Sequence, residues 1–71
     1  MRDTVIKAVA DALDVDVSRV TESTGVGDLP QWDSLGHIEV ITAVEKATGQ
    51  QFDIATQMGI ENVRDLILAV E

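Results

Sequence analysis

The segment after Asp33 constrains the fold more than any other part of the sequence. Its apolar residues recur at every third position: Leu35, Ile38, Ile41 and Val44. Apolar residues at this spacing, with polar residues between them, predict an amphipathic helix that packs one face on a core. Asp33 precedes the run and is predicted to cap the helix with its carboxylate. The helix should extend from Ser34 to about Thr48, with Gly49 as the left-handed residue that ends it.

Helical periodicity also occurs in the first and last parts of the chain. Asp3 or Thr4 is predicted to cap a first helix that ends near Asp14. The apolar stripe of that helix consists of Val5, Ile6, Val9, Ala10, Ala12 and Leu13. Asn62 is predicted to cap a last helix. Its inward residues are Val63, Leu66, Ile67 and Val70, and its outward residues are Arg64, Asp65 and Glu71.

The segment from Val15 to Trp32 predicts a long ordered loop, because it is rich in glycine, proline and small polar residues. Four apolar residues are expected to anchor it to the core: Val17, Val20, Val26 and Leu29. After the second helix, Phe52 and Ile54 are expected to return to the core, and a short helix is predicted from Ile54 to Ile60. The sequence thus predicts an all-α bundle of four helices, three long and one short, with a long loop between the first two.

The composition limits both the size of the core and the range of partners. A chain of 71 residues predicts one domain over residues 1–71 with a small core. The formal net charge of −8 would repel nucleic acid and anionic membranes, and it favours basic protein surfaces. The absence of cysteine excludes a disulfide or a thiolate metal site. Without a leader or a membrane-spanning run, we expect a cytoplasmic monomer.

Ser34 is the residue best placed for chemistry, because it is predicted to be the first residue of the second helix. The N–H groups of a first helical turn have no partner within the helix, and together with the helix dipole they favour an anion. The side chain at this position is not needed for packing. A phosphate attached to the oxygen of Ser34 would therefore lie among free hydrogen-bond donors.

The triplet Asp33, Ser34 and Leu35, in this helical context, resembles the attachment motif of the acyl carrier protein family. The stretch from Ile60 to Leu66 is similar to the family's entry into its last helix. The resemblance implies a non-catalytic carrier whose Ser34 receives 4′-phosphopantetheine from coenzyme A through a phosphopantetheinyl transferase. It also implies that Asp33 helps to engage the transferase and its magnesium ion. Leu35 would contact partner enzymes, although its spacing also fits a core position.

The resemblance further implies a docking face on the exposed side of the second helix. The candidate residues are Gly36, His37, Glu39, Val40, Thr42, Glu45 and Lys46, with a core edge as the other interpretation of Val40. The run from Trp32 to His37 looks like the discrete carriers of polyketide or related specialised pathways, whose partners would be acyltransferases, ketosynthases or ligases. Carriers of fatty-acid synthesis, which usually have an acidic residue after the leucine, and peptidyl carriers are the alternatives.

Two other classes of function are compatible with parts of this pattern. Acidic amphipathic helices also suit a module that binds partners without being modified. Ser34 and His37 share a helix face beside Asp33, which suggests a hydrolase. A small bundle, however, offers neither the pocket nor the oxyanion hole that a hydrolase needs. We therefore expect His37 to face solvent or a partner.

Two further motifs have simpler explanations than ligand binding. Gly25, Val26 and Gly27 lack the third glycine, the lysine and the preceding strand of a phosphate-binding loop. The acidic residues Asp11, Asp14 and Asp16 lack the glycine and the glutamate that complete a calcium loop. We expect the first group to form a turn and the second to be solvated charge.

Overall fold

The computed structural model describes all 71 residues and is built from four α-helices without a β-strand. The helices are α1 (Arg2–Leu13), α2 (Ser34–Thr48), α3 (Ile54–Gly59) and α4 (Val63–Val70), and a short 3₁₀ helix (Val17–Arg19) lies in the loop after α1. The predicted all-α bundle with three longer helices and one short helix is confirmed. None of the helices combines the length and the apolar character that a bilayer span requires.

The first helix begins earlier than predicted and has no side-chain cap, so the expected caps Asp3 and Thr4 are wrong. The carbonyl of Met1 accepts the N–H of Val5 at 2.9 Å, which allows the helix to start at Arg2. The first helix ends at the predicted place, next to Asp14. Asp14 takes the left-handed conformation (φ 55°), and its N–H returns to carbonyls of the last turn.

The loop is anchored by fewer residues than the sequence suggested. Val20 and Leu29 are buried as predicted, but Val17 and Val26 are exposed, so their predicted burial is wrong. Val26 uses its backbone instead, since its N–H donates to the carbonyl of Glu61 at 3.0 Å. The loop therefore pairs through its backbone with the chain that enters α4. Trp32, which was not predicted as a core residue, is completely buried.

The second helix begins and ends at the predicted residues but faces the core differently. Its buried row follows a spacing of four residues: Gly36, Val40 and Val44, with Ile41 beside it. Leu35 and Ile38 are 67% and 63% exposed, so their predicted core positions are wrong. The helix packs on α1 through this row, and an atom added at Gly36 would lie 3.3 Å from Leu13. Gly49 ends the helix at φ 73°, as predicted.

The last two helices differ in how they are held. The cap of α4 is confirmed, because Asn62 accepts the N–H of Asp65 at 2.9 Å. Its predicted inward residues are all buried: Val63, Leu66, Ile67 and Val70. In contrast, no residue of α3 is buried, and Ile54 is 73% exposed, so its predicted return to the core is wrong. The flanking residues Phe52 and Ile60 are buried instead, so α3 is attached to the core at its two ends.

Candidate functional site

Ser34 lies at the start of α2 with its side chain exposed to solvent. Its hydroxyl makes no hydrogen bond within the chain, unlike that of Ser23, which contacts Thr21 at 3.1 Å. Asp33 caps the helix as predicted, accepting the N–H of Gly36 at 2.9 Å. The residue at the first helical position is thus fixed by its backbone while its oxygen remains free to react.

The first turn of α2 has unused hydrogen-bond donors next to this hydroxyl. The N–H groups of Gly36 and His37 are both accepted by Asp33, through its carboxylate and its carbonyl, respectively. The N–H groups of Ser34 and Leu35 have no acceptor within the chain. A helix N-terminus with free N–H groups favours an anionic group nearby. An anion bonded to the Ser34 oxygen would be close to both donors.

Ser34 borders an open groove of about 670 Å³ between the loop, the start of α2 and the end of α3. Asp28, Asp33 and Glu61 line it, and no lysine or arginine does. Asp28 also supports the groove wall, because its carboxylate accepts the N–H of Gly25 at 2.8 Å. Met58, which is 79% exposed, contributes an apolar edge. The groove is therefore acidic, with apolar side chains at its border.

His37 lines the same groove but is committed to hydrogen bonds within the protein. The indole N–H of Trp32 donates to Nδ1 of His37 at 3.0 Å, and Nε2 of His37 lies 2.9 Å from the carbonyl oxygen of Gln57. An indole nitrogen only donates and a carbonyl oxygen only accepts. The imidazole must therefore carry its hydrogen on Nε2. His37 is half-buried, so its predicted solvent-facing position is only partly right, and its contact with a partner stays a prediction.

These contacts also argue against the hydrolase interpretation. A base must reach the proton of its nucleophile through a free ring nitrogen. Both nitrogens of His37 are occupied, one by Trp32 and the other by Gln57. Ser34 makes no hydrogen bond with either nitrogen. The arrangement of these residues is that of a structural connection, not of a nucleophile and its base.

The predicted docking residues of α2 differ in their exposure to solvent. Glu39, Thr42 and Lys46 are exposed on α2, together with Leu35. Gly36 and Val40 are buried, so the predicted exposure of Gly36 is wrong and the core interpretation of Val40 is confirmed. Glu45 is half-buried and accepts the N–H of Phe52 at 2.8 Å, which fixes the turn after α2.

Sequence reasoning missed three features of this region: the exposed side chains of Ile38 and Met58 and the contact between Trp32 and His37. The period of α2 suggested burial for Ile38, and nothing in the local sequence pairs Trp32 with His37. The three residues Gly25, Val26 and Gly27 form a turn, as expected, in which Gly27 has φ 91°. Asp16 caps the 3₁₀ helix, accepting the N–H of Ser18 at 2.9 Å.

A family model described as the phosphopantetheine attachment site matches residues 3–70. The chain belongs to the acyl carrier protein family. No curated protein and no solved structure matches it. Members of the family are carriers that hold 4′-phosphopantetheine covalently, are modified by a phosphopantetheinyl transferase and work with biosynthetic enzymes.

The residues around the start of α2 fit such a group. A covalent phosphodiester needs a free, exposed hydroxyl, and Ser34 offers one. The phosphate charge needs donors, and the N–H groups of Ser34 and Leu35 are unpaired. The arm needs an open path, and the groove beside Ser34 provides it. The carrier has two other serines, Ser18 and Ser23, and neither begins an α-helix.

Proposed function

We propose that this carrier binds 4′-phosphopantetheine through Ser34 and holds acyl groups on it as thioesters. The main support is the free and exposed Ser34 hydroxyl at the start of α2, beside two N–H groups that have no partner in the chain. In the modification, the O–H bond of Ser34 breaks and its oxygen bonds to the phosphorus nearest the pantetheine part of coenzyme A. The nucleotide part leaves as adenosine 3′,5′-bisphosphate. The transferase supplies the base that takes the proton.

Asp33 has a defined structural role in this proposal and a second role by family resemblance. Its carboxylate caps α2 through Oδ1, which receives the N–H of Gly36 at 2.9 Å. Its other oxygen makes no hydrogen bond within the chain, so it is free to bind the magnesium ion of the transferase complex. Leu35, adjacent to Ser34 and largely exposed, would contact the partner enzymes.

The tethered arm, and not catalysis, would be the function of the protein. A covalent tether raises the effective concentration of its acyl group at each enzyme to which the carrier docks. The pathway that we propose is polyketide or related specialised biosynthesis, with acyltransferases, ketosynthases or ligases as partners. Its support is the sequence from Trp32 to His37 and the lack of an acidic residue at Gly36. Residues 1–71 would act as one carrier domain and as a monomer in the cytoplasm.

Intact mass spectrometry tests the attachment directly. The purified protein is incubated with coenzyme A, magnesium and a phosphopantetheinyl transferase of broad specificity. We expect one phosphopantetheine adduct on the parent and on Ser23→Ala, and none on Ser34→Ala. Ser23 is a matched control, because it is an exposed serine that lines the same groove. An adduct on Ser34→Ala would show that the attachment residue is wrong.

A module that binds partners without modification is the second candidate. The exposed Leu35 and Ile38 on α2 favour it, since they form an apolar surface that a partner helix could cover. In the same experiment this candidate predicts no adduct, although a control carrier in the same tube is modified. Binding to such a partner would also survive Ser34→Ala.

A further inference from the structure

The third helix is attached to the bundle in a way that differs from the other helices. None of its six residues is buried, so the helix itself contributes little apolar burial. Its own hydrogen bonds are local: Asp53 caps it through the N–H of Thr56, and the Gln57 side chain donates to the carbonyl of Phe52. Only one hydrogen bond joins α3 to another helix, from Nε2 of His37 to the carbonyl oxygen of Gln57.

His37 is itself held in place from the opposite side. Trp32 is completely buried, and its indole N–H binds Nδ1 of His37 at 3.0 Å. The planes of the two rings are nearly parallel, with an angle of 21° between them, and their centroids lie 6.2 Å apart, so the rings meet edge to edge through this hydrogen bond. The imidazole therefore connects a fixed core residue to the backbone of α3. A chain of hydrogen bonds extends from the loop through α2 to α3.

This connection lies beside the proposed attachment site. His37 is one helical turn after Ser34, and both line the groove that Met58 of α3 borders. A protein that approaches the Ser34 hydroxyl along this groove also meets Met58. The position of α3 therefore sets the shape of the surface that such a protein contacts.

We propose that His37 is a positioning residue that holds α3 beside Ser34 and thereby sets how well the transferase binds the carrier. This inference rests on the proposed attachment at Ser34. If the His37 contact is lost, α3 samples other positions, and binding must first select the competent one. The apparent affinity then equals the intrinsic affinity multiplied by the fraction of molecules in which α3 is correctly placed. The chemical step is unchanged once the complex has formed.

Two conservative variants separate the two hydrogen bonds of the ring. The amide nitrogen of His37→Gln reaches about as far from the backbone as Nε2, so it can still donate to Gln57. The amide of His37→Asn ends near the place of Nδ1, so it can accept from Trp32 but falls short of Gln57. A further variant, His37→Leu, retains bulk against Trp32 and makes neither hydrogen bond. The proposal predicts that His37→Gln behaves like the parent, whereas His37→Asn and His37→Leu do not.

The first measurement is amide hydrogen exchange of the unmodified protein, which does not depend on loading. In His37→Asn and His37→Leu, we expect exchange at Gln57 and Met58 to be faster by a factor on the order of ten, the contribution of one net hydrogen bond. Exchange in α1 should be unchanged, which also shows that each variant is folded. Equal exchange in the parent and all three variants would overturn the proposal.

The second measurement is the steady-state kinetics of loading with the carrier as the varied substrate. We expect KM to rise in His37→Asn and His37→Leu by the factor by which the fraction of molecules with α3 in place falls, about fivefold if about one molecule in five keeps it there. We expect kcat to stay within about twofold of the parent, and His37→Gln to restore KM. An unchanged KM in a variant whose α3 amides exchange almost as fast as those of an unfolded chain, so that α3 is mostly out of place, would overturn the role of α3 in loading. If the parent forms no adduct, the proposed function fails, while the exchange data still test the contact.

Discussion

Gly36 shows how one absent side chain allows the loop to approach the attachment helix. A Cβ atom built on Gly36 would overlap the backbone carbonyl of Gln31. It would also lie 3.3 Å from the side chain of Leu13 in α1. The end of the loop and the first turn of α2 are therefore in direct backbone contact. This contact fixes the segment that contains Asp33 and Ser34.

We predict that Gly36→Ala destabilises the protein although alanine favours helix formation. The helix propensity gained is about 1 kcal/mol. The overlap involves a backbone carbonyl that cannot rotate away, so its cost should lie at or above the upper end of the about 1–3 kcal/mol typical of overpacking. We expect a net loss of about 2 kcal/mol in the free energy of unfolding, measured by urea denaturation.

Gly59→Ala is the matched control for this change. No atom lies within 4 Å of a Cβ built on Gly59, and its φ is not positive. We expect its free energy of unfolding to stay within about 0.5 kcal/mol of the parent or to rise slightly. Equal losses in the two variants would contradict the role assigned to the contact between Gly36 and Gln31.

At the scale of a single helix, α3 depends on its cap. The N–H of Thr56, with a smaller contribution from its hydroxyl, lowers the pKa of the Asp53 carboxyl below its ordinary value. A group whose pKa is lower in the folded state stabilises that state above its unfolded pKa, about 3.9. The contribution is lost as the pH falls through the folded pKa. We therefore predict that α3 loses order in acid.

Nuclear magnetic resonance can measure this effect through the Cα chemical shifts of α3 between about pH 7 and about pH 2. In the parent, the helical shifts should decrease over the acidic end of that range. Asp53→Asn retains a capping oxygen but no titrating carboxyl, so its shifts should change less. A parallel pH dependence in the parent and in Asp53→Asn would show that another group controls α3.

The helix boundaries that the sequence predicted best are those marked by a local capping signal. Asp33 and Gly49 bound α2, and Asn62 begins α4, because a cap involves only its own helix. Which face of α2 is buried depends on how the helix packs on α1. The three-residue spacing of Leu35 and Ile38 does not contain information on that packing. The buried face of α2 is the one that contains Gly36, because a residue without a side chain permits close packing on α1. Leu35 lies on another face of the helix and therefore remains exposed.

The candidate site was predictable only where it depends on neighbours in the sequence. Ser34 and Asp33 are neighbours in sequence, so the geometry of the capped helix start followed from local rules. The connection through His37 joins a loop residue, a helix residue and a carbonyl twenty positions away. No periodic or spacing rule reports such a contact, so the two hydrogen bonds of the His37 ring could not be predicted from the sequence.

Over the whole molecule, most of the negative charge is not neutralised. The three ion pairs involve only two of the five basic residues: Arg2 binds Asp3 and Glu22, and Arg64 lies 3.9 Å from Glu22. Glu22 thereby joins the starts of α1 and α4. The groove beside Ser34 has acidic residues and no basic one. Salt should therefore act on this protein in two opposite directions.

We predict that added salt stabilises the fold but weakens loading. From about 0.01 M to about 1 M salt, the Debye length falls from about 30 Å to about 3 Å. Screening reduces the repulsion within a chain of net charge −8, so the melting temperature should rise. It also reduces attraction to a basic transferase, so KM for the carrier should rise on the order of tenfold at saturating coenzyme A.

Glu61→Gln tests whether the groove is responsible for the weaker loading at high salt. The Glu61 side chain lies in the groove and makes no hydrogen bond or ion pair within the chain, so the change removes one charge without removing a contact. We expect a higher KM at low salt and a smaller rise with salt than in the parent. If salt leaves KM unchanged while the melting temperature rises, docking depends on the apolar side chains of Leu35, Ile38 and Met58, because apolar contact is not screened by salt.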